Sequence, residues 1–288
     1  FEVKLDEFDL VIFDRYRRQA ILPAAYLGNV ARYVQEGGAV LISSGPDFAS
    51  EDGLYATPLA DIIAAPPSGE IIEGAFTPQL TEAGRKHPVT RNLPQSGGET
   101  PSWGRWFRLV GTSSAAGDVI MSGDDGKPLL VLSHAGEGRV AQMLSDQGWL
   151  WSRGFEGGGP QSELMRRIAH WLMEEPDLEE EALSASQQGS QLIIERQTMA
   201  DKADPVTVTL PSGETETVEL SETSPGMWTG RVDITEPGLH RLADGLEDGL
   251  FILGADMRVL FVNLGAQRFF PPVNEPTGRK LVECIPNT

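Results

Sequence analysis

Two short apolar runs joined by one stretch of helical periodicity constrain this chain more than any other feature. Asp9 to Asp14 (DLVIFD) sets four apolar residues between two aspartates, the pattern of a buried parallel strand whose carboxyl end opens onto a loop. Ala39 to Ile42 is a second such run, and Ser43-Ser44-Gly45-Pro46 is the loop at its carboxyl end. Between them Pro23 suits a first helical turn, and Ala24, Leu27, Val30, Ala31 and Val34 recur at helical spacing before Gly37-Gly38 ends the element. Strand, helix and strand within about 30 residues make a βαβ unit. The chain therefore opens as an α/β fold.

Further along, a loop-rich stretch precedes Val119 to Ser122, Leu129 to Leu132 and Gly138 to Leu144, three strands read as consecutive hairpin-like elements. Ser162 to Met173 carries Leu164, Ile168, Ala169 and Leu172 on one face, a helix covering the sheet, and Pro176 closes the domain. The acidic run Glu174 to Glu181 and the Ser- and Gln-rich Ser184 to Ser190 read as a solvated helix extension and a linker. From Gln191 the pattern alternates. Leu192 to Glu195, Val206 to Leu210, Thr215 to Leu220 and Trp228 to Val232 are expected strands of a small antiparallel sandwich, with turns at Pro211-Ser212-Gly213 and Ser224-Pro225-Gly226.

At 288 residues and 40% hydrophobic composition the chain can bury a full core, and one large with one smaller unit is the expected division. A formal charge of −19 repels a phosphate backbone from the average surface, and the short basic cluster Arg15, Arg17 and Arg18 reads as a solvated helix start, so no nucleic-acid partner is expected. Cys284 is the only cysteine, which excludes an intrachain disulfide, a CxxC redox pair and a cysteine zinc site. Gly249 to Val262, the most apolar late stretch, is interrupted by Asp256 and Arg258 and falls short of the ~20 apolar residues that span a bilayer. Phe1 opens the chain with neither a basic n-region nor a signal-type apolar run, the expectation for a fragment of a longer protein.

A set of segments carries a family resemblance: DLVIFDRY (9–16), GGAVLISSGPDFAS (37–50), LYATPLADII (54–63), GRKHPVTRNLP (84–94), WGRWFR (103–108) and the run from Ser145 through Trp151 to Gly159. Together they resemble the class I glutamine amidotransferase-like domain of large bacterial membrane proteins, over most of residues 5 to 176 and on into the strand-rich part. The resemblance implies a flavodoxin-like or amidotransferase-like, mostly parallel sheet with flanking helices, a strand before DLVIFD that this chain lacks, and a parent with transmembrane helices elsewhere. An active member needs a cysteine whose thiolate is stabilised on a tight strand-to-helix turn, then a histidine and an acid. No cysteine occurs before Cys284, and Ser145-Asp146-Gln147-Gly148 stands where the resemblance places the histidine. Ser43 and Ser44 follow a strand, but their flanks are not the G-x-S-x-G elbow.

Other chemistry has weaker signals. His87, His134, His170 and His240 show no i, i+4 metal spacing, and Phe155 to Pro160 (FEGGGP) lacks the Lys and Ser/Thr of a P-loop, reading instead as a tight approach to the following helix. No metal, cofactor or catalytic residue is therefore assigned. Ligands in open α/β sheets bind outside the carboxyl ends of the strands, which here carry Asp14, Arg15, Ser43, Ser44, Gly45, Asp146 and Gln147. Trp103, Trp106, Trp149 and Trp151, with Arg105 and Arg153 beside them, wall such a crevice or merely pack their loops together. Finally, Asp248 to Cys284 resembles the opening half of a PAS sensor domain, including Asn263, although extra strands and a helix completing the β module read the same pattern.

The expected organisation is an amidotransferase-like α/β domain (1–176), an acidic linker (177–190), a β-sandwich-like module (191–243) and a PAS-like partial segment (244–288). The expected function is non-catalytic binding of a small molecule or a protein, in the soluble segment of a bacterial inner-membrane protein. Two alternatives stand beside it: a hydrolase or amidotransferase-type enzyme using a serine or partner-supplied residues, and the sensory input region of a signalling protein.

Overall fold

Register explains the first half of the chain. In the computed structural model, which describes residues 4–18, 22–98, 100–188, 190–233, 239–243 and 249–253, β1 (Val11–Asp14), α1 (Ala24–Gln35) and β2 (Ala39–Ser43) form the expected unit. β1 and β2 run parallel, with Asp14 opposite Ser43. α1 buries Leu27, Val30, Ala31 and Val34, the stripe its periodicity predicts. Gly37, at φ +113°, turns the chain out of the helix.

The loop-rich stretch holds more regular structure than its composition suggests. β3 (Pro67–Phe76), the short β4 (Gln79–Leu80), α2 (Glu82–Lys86) and β5 (Trp106–Thr112) lie within it. β3 and β5 pair antiparallel as a separate two-stranded ribbon. Glycine and glutamate on the largely exposed β3 hide it from a search for alternating apolar residues.

β6 (Asp118–Ser122), β7 (Pro128–Ala135) and β8 (Gly138–Met143) follow as connected antiparallel strands. They complete a six-stranded sheet of order β1-β2-β8-β7-β6-β4. The sheet is mixed rather than mostly parallel: β1-β2 and β2-β8 are parallel, and the remaining pairings antiparallel. The tight links between β6, β7 and β8 impose this, because a parallel crossover needs a dozen or more residues. After a one-turn helix, α3 (Trp149–Ser152), the helix α4 (Gln161–Leu172) buries Leu164, Ile168, Trp171 and Leu172. Both α1 and α4 pack on β2 and β8. Arg139 on β8 ties down the end of α4, donating to the Trp171 carbonyl at 2.7 Å and to Glu179 at 2.8 Å.

The chain divides into two compact units, Phe1–Glu179 and Glu180–Thr288, each with its own apolar core. The second contains β9 (Ala182–Gln188), β10 (Gln191–Gln197), β11 (Val206–Thr209), β12 (Thr215–Val218), β13 (Ser221–Ser224), β14 (Met227–Asp233), β15 (Leu239–Ala243) and β16 (Gly249–Leu253). Two four-stranded sheets, β13-β14-β10-β9 and β12-β11-β15-β16, share a core that includes Leu192, Ile194, Val206, Val208 and Trp228. Sheets facing across one core make a sandwich.

Two expected boundaries are corrected. The linker at 177–190 is largely the edge strand β9, paired with β10 from Leu183 opposite Arg196 to Gln188 opposite Gln191. An edge strand needs its backbone paired more than it needs apolar side chains, and Leu183 alone signals its buried face. Glu181 is bound rather than simply solvated, accepting from Arg196, Thr198 and the Met199 amide. At the other end, the first strand of the PAS-like segment is β16, hydrogen-bonded to β15 with Gly249 opposite Ala243. It extends a sandwich sheet, so the boundary at 243 moves outward. The remainder of that segment, including Asn263 and Cys284, lies outside the described residues. Among the described residues no helix is long and apolar enough to cross a membrane.

Candidate functional site

Three parallel strands end level with one another. Asp14 is opposite Ser43, and Ser43 is opposite Met143. The ladder continues one step beyond the strands, with the Arg15 amide donating to the Ser43 carbonyl at 2.9 Å and the Ser44 amide to the Met143 carbonyl at 2.8 Å. β5 runs beside the segment that leaves β8. The Val110 amide donates to the Leu144 carbonyl at 2.8 Å, the Ser145 hydroxyl to the Arg108 carbonyl at 2.6 Å, and the Phe107 amide to Gln147 Oε1 at 2.7 Å. Arg108 then reaches Asp146, its Nη2 lying 2.9 and 2.8 Å from the two carboxylate oxygens. The Asp146 side chain is 8% exposed, so it is a nearly buried carboxylate held by charge-assisted hydrogen bonds.

A cavity of about 470 Å³ opens at these strand ends. Of the residues expected from sequence, Asp14, Arg15, Ser43, Trp106, Asp146, Trp149 and Trp151 line it. Ser44, Gly45, Trp103 and Gln147 do not line it. Gln147 is engaged by the β5 backbone, and Gly45 packs where an added Cβ would sit 3.4 Å from Asp146 and 3.5 Å from Arg15. Sequence reasoning missed the opposite wall. Ile12, Leu41, Met143, Leu164 and Met165 supply its apolar surface and Gln161 an amide with no hydrogen bond among the described residues. The signal for Ile12 and Leu41 was available in period-2 alternation: each lies two positions before a strand-end residue already named, Asp14 and Ser43.

The four tryptophans divide three to one. Trp103, Trp106 and Trp151 are buried and pack on one another, with ring centroids 5.2 Å apart for Trp103–Trp151 and 4.8 Å for Trp106–Trp151. Trp103 donates to the Pro94 carbonyl at 2.8 Å and Trp151 to the Gly104 carbonyl at 2.7 Å. The Trp106 indole N–H is buried without a partner. Trp149, by contrast, is 53% exposed. Loop packing and a crevice wall, posed as alternatives by the sequence, coincide at Trp106 and Trp151, which pack on each other and also line the cavity, whereas Trp103 only packs.

The FEGGGP segment holds this wall from behind. The Gly104 amide donates to the Gly158 carbonyl at 2.7 Å, and a Cβ on Gly104 would collide with the Phe155 carbonyl. Arg105 pairs with Glu156 through its Nε at 2.8 Å and its Nη2, and that hydrogen bond lowers the Glu156 carboxyl below its ordinary pKa. Neither Arg105 nor Arg153 lines the cavity.

Among the described residues no base is hydrogen-bonded to Ser43 or Ser44. The Ser44 hydroxyl is buried without a hydrogen-bond partner, and no histidine is among the described residues lining the cavity. His87 accepts from the Val89 amide, His134 packs edge-on to Trp171, and His170 pairs with Glu175. Among the described residues no group of three or more His, Cys, Asp or Glu side chains is placed to hold a metal ion.

No protein-family model and no curated protein matches this sequence. Among solved structures, the chain is similar to a cytoplasmic protein of Salmonella typhimurium LT2, at 21% identity and TM-score 0.47, over 58% of this chain and 73% of that one. A second cytoplasmic protein of Salmonella typhimurium matches at 17% identity and TM-score 0.48, over 59% of this chain and 73% of that one. A β-galactosidase from Rahnella sp. R3 matches at 16% identity and TM-score 0.38, over 81% of this chain but only 33% of its own length.

Proposed function

We propose that residues 1–179 form a non-catalytic binding module on an amidotransferase-like, flavodoxin-related α/β fold, taking a small molecule at the carboxyl ends of β1, β2 and β8. The observation that carries this is the cavity of about 470 Å³, walled by apolar side chains and one exposed tryptophan with a few polar groups. Its size lies within the ~300–1,000 Å³ of small-molecule sites, and strand ends are where open α/β sheets bind ligands. Against the enzyme alternative stands Ser44, whose buried hydroxyl has no hydrogen-bonded base among the described residues to take its proton. Ser43 faces the cavity with no hydrogen-bonded base among the described residues. The family resemblance supports, as part of this proposal, a membrane-anchored bacterial parent; the sequence of the gene and its flanks tests that part.

The binding reading is tested by thermal-shift screening of the chain against amino acids, nucleotides, sugars and cell-envelope fragments, since a ligand specific for the native state raises its melting temperature. At 100 times Kd the stabilisation is about 2.7 kcal/mol. A shift that disappears in Trp149→Ala, whose own unliganded melting temperature stays near that of the wild type, is the expected result. If no compound of any class shifts the melting temperature, the cavity is not a ligand site.

A further inference from the structure

We infer that the strand-end cavity takes an uncharged, polyhydroxylated ligand: a saccharide whose ring stacks on Trp149 while its hydroxyls reach Asp14, Ser43 and Gln161. The inference rests on the reading of the cavity as a ligand site and adds the ligand's chemistry.

The first observation is the one half-exposed tryptophan among the three that line the cavity. Trp103, Trp106 and Trp151 are 4%, 1% and 3% exposed, whereas Trp149 is 53% exposed on the cavity wall. An indole buries about 150–250 Å² when it packs, and this one leaves much of that surface open. Its face carries the negative side of the ring quadrupole. The C–H groups on the flat side of a sugar ring, polarised by neighbouring oxygens, complement that face in both shape and charge.

The second observation is charge balance. Of the ionic side chains lining the cavity, Asp14 lies 3.5 Å from Arg15, and Asp146 is held by Arg108 at 2.8 Å. With Arg108 counted, the formal charges of this set sum to zero, so an ionised ligand finds no excess of opposite charge to replace its lost hydration. Arg15 repels a cation drawn to Asp14, and Asp14 repels an anion drawn to Arg15. A neutral ligand meets neither penalty.

The third observation is unspent hydrogen-bonding capacity. The Ser43 hydroxyl and the Gln161 amide line the cavity and make no hydrogen bond among the described residues. An amide offers a donor and an acceptor side by side, a carboxylate two acceptors, and a hydroxyl one of each. Neighbouring hydroxyls on a sugar ring, each both donor and acceptor, can satisfy all three. A flat apolar face rimmed by hydroxyls is what a stacking platform bordered by such groups selects.

The test is titration of the full chain with methyl β-glucoside, methyl β-galactoside, N-acetylglucosamine and maltotriose. Tryptophan fluorescence and saturation-transfer NMR report binding, and anionic glucuronate and cationic glucosamine serve as comparators. At least one neutral saccharide is expected to bind saturably, with the charged comparators weaker by about tenfold or more, a difference of ~1.4 kcal/mol. Trp149→Ala should abolish binding with an unchanged circular dichroism spectrum, Trp149→Phe should retain part of it, and Gln161→Ala should weaken it several-fold as an independent check. Preference for glucuronate or glucosamine, or saturable binding that survives Trp149→Ala, overturns the inference. If a ligand of another class, such as an amino acid or nucleotide, shifts the melting temperature and Trp149→Ala removes that shift, the saccharide is refuted and the binding module stands. No response to any compound in either assay removes both.

Discussion

Asp146 shows what a single residue contributes on the wall of this cavity. Its nearly buried carboxylate takes a bidentate pair of hydrogen bonds from Arg108, whose own side chain is 32% exposed. Removing one partner of such a pair strands the other, a cost distinct from the net worth of the pair. Asp146→Ala should therefore destabilise the first unit by about 1–3 kcal/mol in chemical denaturation, and Asp146→Asn by less, because an acceptor remains. An Ala variant as stable as the wild type would mean that Arg108 simply turns to solvent. Sequence named Asp146 by its position after a strand, but Arg108, thirty-eight positions earlier, carried no sign of the pairing. The reason is that an ion pair across elements depends on where β5 lies, and local patterns do not encode that.

At the scale of elements, α4 is fixed at its start by charge and at its end by Arg139. Glu163, in the first turn, accepts hydrogen bonds from Arg166 and Arg167, and those bonds hold its carboxyl at about 2 instead of the ordinary 4.5. Arg167 also donates to the Pro88 and Arg91 carbonyls, so the cluster anchors the helix to the 88–91 turn. A carboxylate with a depressed folded-state pKa stabilises the fold above its unfolded value and loses that contribution as pH falls toward the folded one. Glu163→Gln should therefore lower the melting temperature at neutral pH, and its gap from the wild type should narrow as pH drops from 4.5 toward about 2. A gap that stays constant over that range would assign the effect to packing rather than charge. The i, i+3 and i, i+4 spacing of these three residues was legible in the sequence. The carbonyls that Arg167 reaches were not.

For the whole molecule, the decisive fact is that the two units carry separate cores, one through the six-stranded sheet and its helices, the other between the sandwich sheets. A unit with its own core folds alone. The fragment 1–179 should therefore show a cooperative unfolding transition and retain the Trp149 fluorescence of the full chain; a fragment without near-ultraviolet circular dichroism would show that the sandwich is needed to complete it. The alternation of apolar runs and helical stripes in the sequence determined the βαβ opening, the strands β6 to β8, the covering helix α4 and four of the eight described sandwich strands, β10, β11, β12 and β14, because each buries a face that its own periodicity marks. The strand ends were legible for the same reason, and with them Asp14, Arg15, Ser43 and Asp146 of the cavity lining; Trp106, Trp149 and Trp151 were named from their loops. Only the tertiary structure decided that the sheet is mixed, that 182–188 is a strand instead of a linker, and that 249–253 joins the sandwich. It also decided which tryptophan is left exposed. Those outcomes depend on which backbone edges find partners and which side chains find neighbours far away in the chain, and no local pattern of residues specifies either.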